Sequence, residues 1–208
     1  MARVKICGIT TVADAIACAR AGADAIGLNF VPGSPRRIDA NAAQAIVRAV
    51  GDRVLVVAVV AGQSVDAMRT LQATTHVGCL QLHGDESPAD VTALLPHAYK
   101  AVGIADEGDV QRAEAMPGDY VMVDARARGA LGGTGRSFDW KLVVGLARRR
   151  RMVLAGGLTP QNVERAIAMV RPWCVDVASG VESSPGIKDL EKVEAFVARA
   201  RRSAVTPT

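Results

Sequence analysis

Short apolar runs recur along this chain every 19 to 32 residues, beginning near Arg3, Asp24, Arg53, Cys79, Ala98, Tyr120, Met152 and Cys174. That interval holds one strand, one helix and their turns, and here it occurs eight times over. The runs are apolar at nearly every position rather than at alternate ones. Strands of that kind are covered on both faces, as in a parallel sheet flanked by helices. Composition agrees: half of the 208 residues are apolar, while aromatic residues make up only 3%. Val, Ile, Leu and Ala must therefore do the packing. Eight units use up the whole length, so residues 1–208 are expected to form one domain, with residues 203–208 as a frayed tail.

The intervening segments carry helix signals. Thr11 and Asp14 have the spacing of a capping box, ahead of an apolar face at Ile16 and Ala19 and a stop at Gly22. Ser64 precedes Val65, Met68 and Leu71, which share one helical face. Ser87-Pro88 and Thr159-Pro160 each set an N-cap residue before a proline at the first helical position. The shortest candidate helix spans Glu107 to Ala115. Eight such units without a spare domain point to the α/β class and a closed (β/α)₈ TIM barrel. An open doubly wound sheet is the alternative, but it calls for a glycine fingerprint after the first strand. The turn there reads Cys7-Gly8-Ile9-Thr10, with one glycine.

The charge pattern excludes some partners. The formal net charge is +4, and much of the excess lies in Arg148 to Arg151 and in Arg199 to Arg202. Nucleic-acid surfaces interleave basic residues with aromatics. These runs have only Phe196 nearby, so they read as solvated helix and loop ends. A mildly basic body does attract a small anionic substrate. No stretch approaches the roughly 18 apolar residues of a membrane span, and no secretory signal is visible at the N-terminus. The expectation is a cytoplasmic protein with neither nucleic acid nor membrane as partner.

In a barrel of this type the reactive groups sit at the C-terminal strand ends. The polar residues falling there are Cys7, Asn29 with Arg36 and Arg37, His83, Asp124, Gly156-Gly157 and Ser179-Gly180. Cys79 and Cys174 begin their strands, so they belong to the opposite, structural face. Cys7 ends its strand. It is either a buried structural thiol or a reactive one, and Lys5, two residues back, points the same way into the barrel. Asp124 ends Val121-Met122-Val123. A helix cap or a surface ion pair would suit it, and so would a partly desolvated general acid. After it comes a glycine-rich loop to Phe138. Its Gly132-Gly133-Thr134-Gly135 segment is followed by Arg136 and so lacks the Walker ending; it reads as a lid. The glycine turns after the seventh and eighth strands suit a phosphate site. The Arg36 guanidinium can grip a carboxylate with two parallel bonds, whereas Arg37 reads as solvated. Cys79 and His83 lie about 13 Å apart along their strand, too far for one metal, which leaves His83 to touch substrate or hold a loop.

Taken together, the motifs VKICGIT (4–10), GADAIGLNF (22–30), SPR (34–36), LQLHG (80–84), VDA (123–125), GGTGRSFDW (132–140), LAGGLTPQNV (154–163) and VDVASGVESSPGIKD (175–189) resemble the phosphoribosylanthranilate isomerase family. The resemblance covers nearly the whole chain. It implies a (β/α)₈ barrel that performs an Amadori rearrangement of N-(5-phosphoribosyl)anthranilate to 1-(2-carboxyphenylamino)-1-deoxyribulose 5-phosphate in tryptophan biosynthesis. In that family's pattern the position of Asp124 is the general acid and that of Cys7 the general base. Arg36 falls near the anthranilate carboxylate. Gly156, Gly157, Ser179 and Gly180 fall near the phosphate, and His83 and Asp176 complete the substrate-binding set. No metal or organic cofactor is implied, and the partner is a small phosphosugar. The chain is expected to be a monomer, with a homodimer as the alternative. Loop three departs from the family, reading Val59-Val60-Ala61-Gly62-Gln63 where an Asn often follows a Phe-Val pair. A ribulose-phosphate epimerase would need metal-ligating His and Asp residues at several strand ends. A non-catalytic phosphosugar-binding barrel would need neither Cys7 nor Asp124.

Overall fold

The computed structural model describes residues 2–125 and 139–202. Eight parallel strands close into a barrel: β1 (Arg3–Cys7), β2 (Ala25–Asn29), β3 (Leu55–Val60), β4 (Cys79–Leu82), β5 (Ala98–Ile104), β6 (Tyr120–Ala125), β7 (Arg151–Leu154) and β8 (Cys174–Val177). Each begins within two residues of its expected position. Around them run α1 (Val12–Arg20), α2 (Ala40–Val50), α3 (Val65–Thr75), α4 (Pro88–Leu94), α5 (Glu107–Ala115), α6 (Val144–Arg149), α7 (Val163–Val170) and α8 (Leu190–Arg202). The open-sheet alternative is ruled out by the ladder between β1 and β8, which pairs Lys5 with Asp176 and Ile6 with Val177. The glycine-rich loop and the tail expected to fray lie outside the described residues.

Local chemistry explains the helix starts. Thr11 accepts a bond from the Asp14 amide at 3.0 Å, but the Asp14 carboxylate turns away and accepts from the Lys188 amide at 3.3 Å. Only half of that capping box forms. The Ser87 box is complete, with Asp90 N to Ser87 Oγ at 3.2 Å and Ser87 N to Asp90 Oδ2 at 2.9 Å. Thr159-Pro160 does not open α7, which starts at Val163. The Asn162 side chain instead bridges Thr159 N at 2.8 Å and Gly157 O at 2.8 Å, stiffening a turn ahead of the helix.

Two cores hold the fold. The larger lies between strands and helices and includes Val4, Ile6, Ile26, Leu80, Leu82, Val121, Val123 and Phe196. The smaller fills the barrel itself with Val57, Tyr99, Ala101, Met122, Val153 and Cys174. Alternation along a strand sends one residue to each core, so Val4 and Ile6 pack outward while Lys5 and Cys7 face inward. Phe196 on α8 is fully buried against the outer layer. Phe196→Ala is therefore expected to lower unfolding stability by about 3–5 kcal/mol, read as a lower denaturant midpoint at unchanged slope.

Several residues of the arginine runs fasten neighbouring elements together. Arg149 forks onto Glu114 at 2.5 and 2.8 Å. Arg150 donates to the Glu114, Met116 and Gly118 carbonyls at 2.5, 3.0 and 2.6 Å, covering the C-terminal end of α5. Arg201 ties α8 to Gly22 O and Asp24 Oδ2 at 3.0 and 2.8 Å. No described helix is long and apolar enough to cross a membrane.

Candidate active site

At the C-terminal end of the strands lies a cavity of about 350 Å³ whose walls include Cys7, Asn29, Arg36, Gln81, His83, Asp124 and Asp176, with Val59 and Met122. Five of the expected site residues, Cys7, Arg36, His83, Asp124 and Asp176, thus meet in one hollow. They come from five separate strand ends and loops, which closure of the barrel brings together.

Cys7 sits at the exit of β1 opposite Gly27 of β2. A Cβ on Gly27 would stand 2.6 Å from the Cys7 sulfur, so the glycine leaves the thiol its space. Behind Cys7, the Lys5 ammonium donates to Asp176 Oδ1 and Gln81 Oε1, both at 2.9 Å. Burial opposes the Lys5 charge, but Asp176, with Cys7 and Tyr99 beyond it, outweighs burial and holds the ammonium's pKa well above its ordinary value. The Cys7 thiol is pushed up by burial and by Asp176, against the pull of Lys5 and Lys188. The other thiols show what burial does with less opposition: it takes Cys79 to about 11 and Cys18 to about 12. At Cys7 the strongest influence opposing that rise is the charge of the Lys5 ammonium.

Asp124 stands at the end of β6, across from Gly103 of β5. His83 Nε2 lies 3.8 Å from Asp124 Oδ2, and His83 Nδ1 lies 3.0 Å from Gln81 Nε2. Gln81 Oε1 already accepts from Lys5 and from the Tyr99 hydroxyl at 2.9 Å, so its amide nitrogen must face the imidazole. Nδ1 is then the acceptor, and the ring proton sits on Nε2, directed toward Asp124. Burial, with Lys100 and Lys5 adding to it, lowers the His83 pKa and keeps the ring neutral. A chain of side chains thus crosses the barrel mouth from Asp176 and Lys5 through Gln81 and His83 to Asp124.

Arg36 is not an open fork. Its Nε and Nη2 donate to Glu182 Oε1 and Oε2 at 2.8 and 2.6 Å. Its side chain crosses the β1 exit, where Gly8 (φ +75°) has no Cβ to block it; one would stand 2.5 Å from Arg36 Cδ. Arg37 is exposed, as expected. The glycine turns fall outside the cavity wall: Gly156, Gly157, Ser179 and Gly180 lie just beyond the ends of β7 and β8, next to Ala178, which does line it. Gly180 also has a packing role, since a Cβ there would meet Leu158 O at 2.0 Å. The loops after β7 and β8 touch at that point.

Several polar residues of this region are not legible from their own neighbourhood in sequence. Gln81, Tyr99, Glu182 and Lys188 interact across elements. So does Glu86, which accepts from Gly62 N at 3.0 Å and Gly84 N at 2.9 Å and pairs with Lys100 at 3.4 Å. The departed loop three is held in this way. Among the described residues, no group of three or more His, Cys, Asp or Glu side chains is placed to hold a metal ion.

Comparison with known families matches residues 4–199 to the family described as N-(5'phosphoribosyl)anthranilate (PRA) isomerase. The chain belongs to the PRA isomerase family. It is 44% identical over 205 residues to an N-(5'-phosphoribosyl)anthranilate isomerase of Magnetococcus marinus, covering 97% of this chain and 96% of that protein. It is 45% identical over 204 residues to one of Pseudomonas aeruginosa, covering 96% of each. Among solved structures, the PRA isomerase of Thermotoga maritima superposes with a TM-score of 0.89 at 36% identity, over 97% of this chain and all of that one. A further PRA isomerase structure, in complex with reduced 1-(o-carboxyphenylamino)-1-deoxyribulose 5-phosphate, gives a TM-score of 0.87 at 35% identity over 97% of this chain and all of that one. Solved PRA isomerase structures thus share this chain's fold, and the family is one of isomerases.

Proposed function

We propose that this chain catalyses the Amadori rearrangement of N-(5'-phosphoribosyl)anthranilate, with Asp124 as general acid and Cys7 as general base. The observation that carries the reading is the placement of Cys7 and Asp124 on one cavity, at the exits of β1 and β6. Asp124 gives its proton to the furanose ring oxygen as the bond from that oxygen to the first sugar carbon breaks, leaving an iminium ion. The Cys7 thiolate takes the proton from the second sugar carbon, and the electron pair released neutralises the iminium as an enolamine. The enolamine then tautomerises to the ketone.

The surroundings suit these roles. Lys5 stabilises the Cys7 thiolate, and the neutral His83 ring points its Nε2–H toward Asp124, where it steadies the carboxylate once the proton has left. The free edge of Arg36 receives the anthranilate carboxylate. The backbone amides at Gly156-Gly157 and Ser179-Gly180 receive the phosphate, with His83 and Asp176 at the sugar. The purified chain is expected to consume phosphoribosylanthranilate, followed as loss of that compound's fluorescence. Tight binding without turnover would replace this reading with that of a non-catalytic phosphosugar-binding barrel.

A further inference from the structure

Glu182 opens a two-stranded hairpin, β9 (Glu182–Ser184) and β10 (Ile187–Lys188), beside the cavity. It falls within the motif VDVASGVESSPGIKD without a role of its own in the sequence reading, yet its buried carboxylate joins three segments. Oε1 accepts from Arg36 Nε and from Lys188 Nζ, both at 2.8 Å, while Oε2 accepts from Arg36 Nη2 at 2.6 Å. The Gly186 amide adds a bond to Oε1 at 3.3 Å. Burial works against the Glu182 charge, but Arg36 and Lys188 outweigh it and hold the carboxyl below the usual carboxylate range. Two cations meet one anion, so the cluster keeps one positive charge at the edge of the cavity.

The geometry of the fork decides where that charge faces. A guanidinium has two edges that suit a carboxylate, Nε with Nη2 and Nη1 with Nη2. Glu182 occupies the first. On the second, Nη1 has no hydrogen-bond partner among the described residues, and Arg36 lines the cavity with Cys7. A flexible arginine would otherwise sample many rotamers, and a planar fork held on one edge is pre-organised on the other.

We propose that Glu182 is the positioning residue that aims Arg36, so that the open Nη1–Nη2 edge selects a substrate bearing a carboxylate on its aromatic ring. The inference rests on the proposed function and extends it to the source of carboxylate selectivity. Lys188 balances charge in this scheme and does not aim the fork.

Two probes separate these roles: reduced 1-(o-carboxyphenylamino)-1-deoxyribulose 5-phosphate and the same compound without the ring carboxylate. In the unaltered chain the carboxylate is expected to tighten binding by about ten- to a hundredfold, the range of charge-assisted hydrogen bonds. Glu182→Gln keeps the shape but places an amide N–H against the arginine, and should remove most of that preference. KM should rise by about the same factor, with kcat changed far less. Arg36→Lys should lose the preference too, and the double variant should be no worse than Arg36→Lys alone. Lys188→Met leaves the fork intact and should retain the preference; this variant carries the test if Glu182→Gln does not fold. Ribose 5-phosphate should bind all variants alike.

The proposal is overturned if Glu182→Gln keeps the full carboxylate preference, if it lowers KM by releasing Arg36 to the substrate, or if Lys188→Met alone abolishes the preference. Failure of the underlying function would look different, because the unaltered chain would then not turn over phosphoribosylanthranilate at all.

Discussion

Asp124→Asn and Cys7→Ser are each expected to lower kcat for phosphoribosylanthranilate by about 10²–10⁴-fold, the usual contribution of one acid or base. Asparagine matches the aspartate in shape but has no acidic proton for the ring oxygen. Its neutral amide can still accept from the His83 Nε2–H, now 3.8 Å from the carboxylate, so the loss isolates the missing proton. Serine fits the space that Gly27 leaves for the Cys7 sulfur. Its hydroxyl is far less acidic than a thiol and cannot serve as the base. Affinity for ribose 5-phosphate should hold in both variants, since neither residue belongs to the turns after β7 and β8. Near-normal turnover in either variant would remove that residue from the mechanism. Loss of phosphate affinity would instead show that the cavity had collapsed.

The second large effect belongs to Lys5→Met, which should act on both stability and rate. Lys5 and Asp176 are buried together with 2.9 Å between their charged atoms. Removing the ammonium leaves a buried carboxylate without its partner, a change that destabilises by about 3–5 kcal/mol. Lys5→Met with Asp176→Asn should recover part of that loss, because no unpaired charge then remains. On the rate, the sign follows from Cys7. Its pKa is raised, chiefly by burial and against the pull of Lys5. The thiolate therefore gains population as pH rises, and kcat/KM should climb on the alkaline side of neutrality. Without Lys5 the same limb should move to still higher pH. A pH–rate profile unchanged in Lys5→Met would show that Lys5 serves stability alone.

Much of this molecule is local in origin and therefore readable from its order of residues. The spacing of apolar runs, Ser87-Pro88 with Asp90, and Ser64 before Val65 all describe contacts within a few residues. The expected strand and helix starts accordingly match the structure closely. The exception at Thr159-Pro160 is also instructive. Both residues have helix-start chemistry, but Asn162 captures the Thr159 amide and the Gly157 carbonyl, and the helix waits until Val163. A side chain three positions on outcompeted the local signal.

The candidate site divides along the same line. Cys7 and Asp124 stood out because each ends a buried strand, and strand ends at one rim are the places where a (β/α)₈ barrel exposes chemistry. The sequence by itself therefore determined the units, their cadence and which residues reach the rim, since each of these depends on neighbours in the chain. Only the tertiary structure decided that Lys5 meets Asp176, 171 positions away, and that Arg36 meets Glu182, 146 positions away. Those pairings follow from the register between β1 and β8 and from the fold of the hairpin against loop two. Burial then makes them matter, because a charge removed from water must find its opposite wherever the closed barrel has put it.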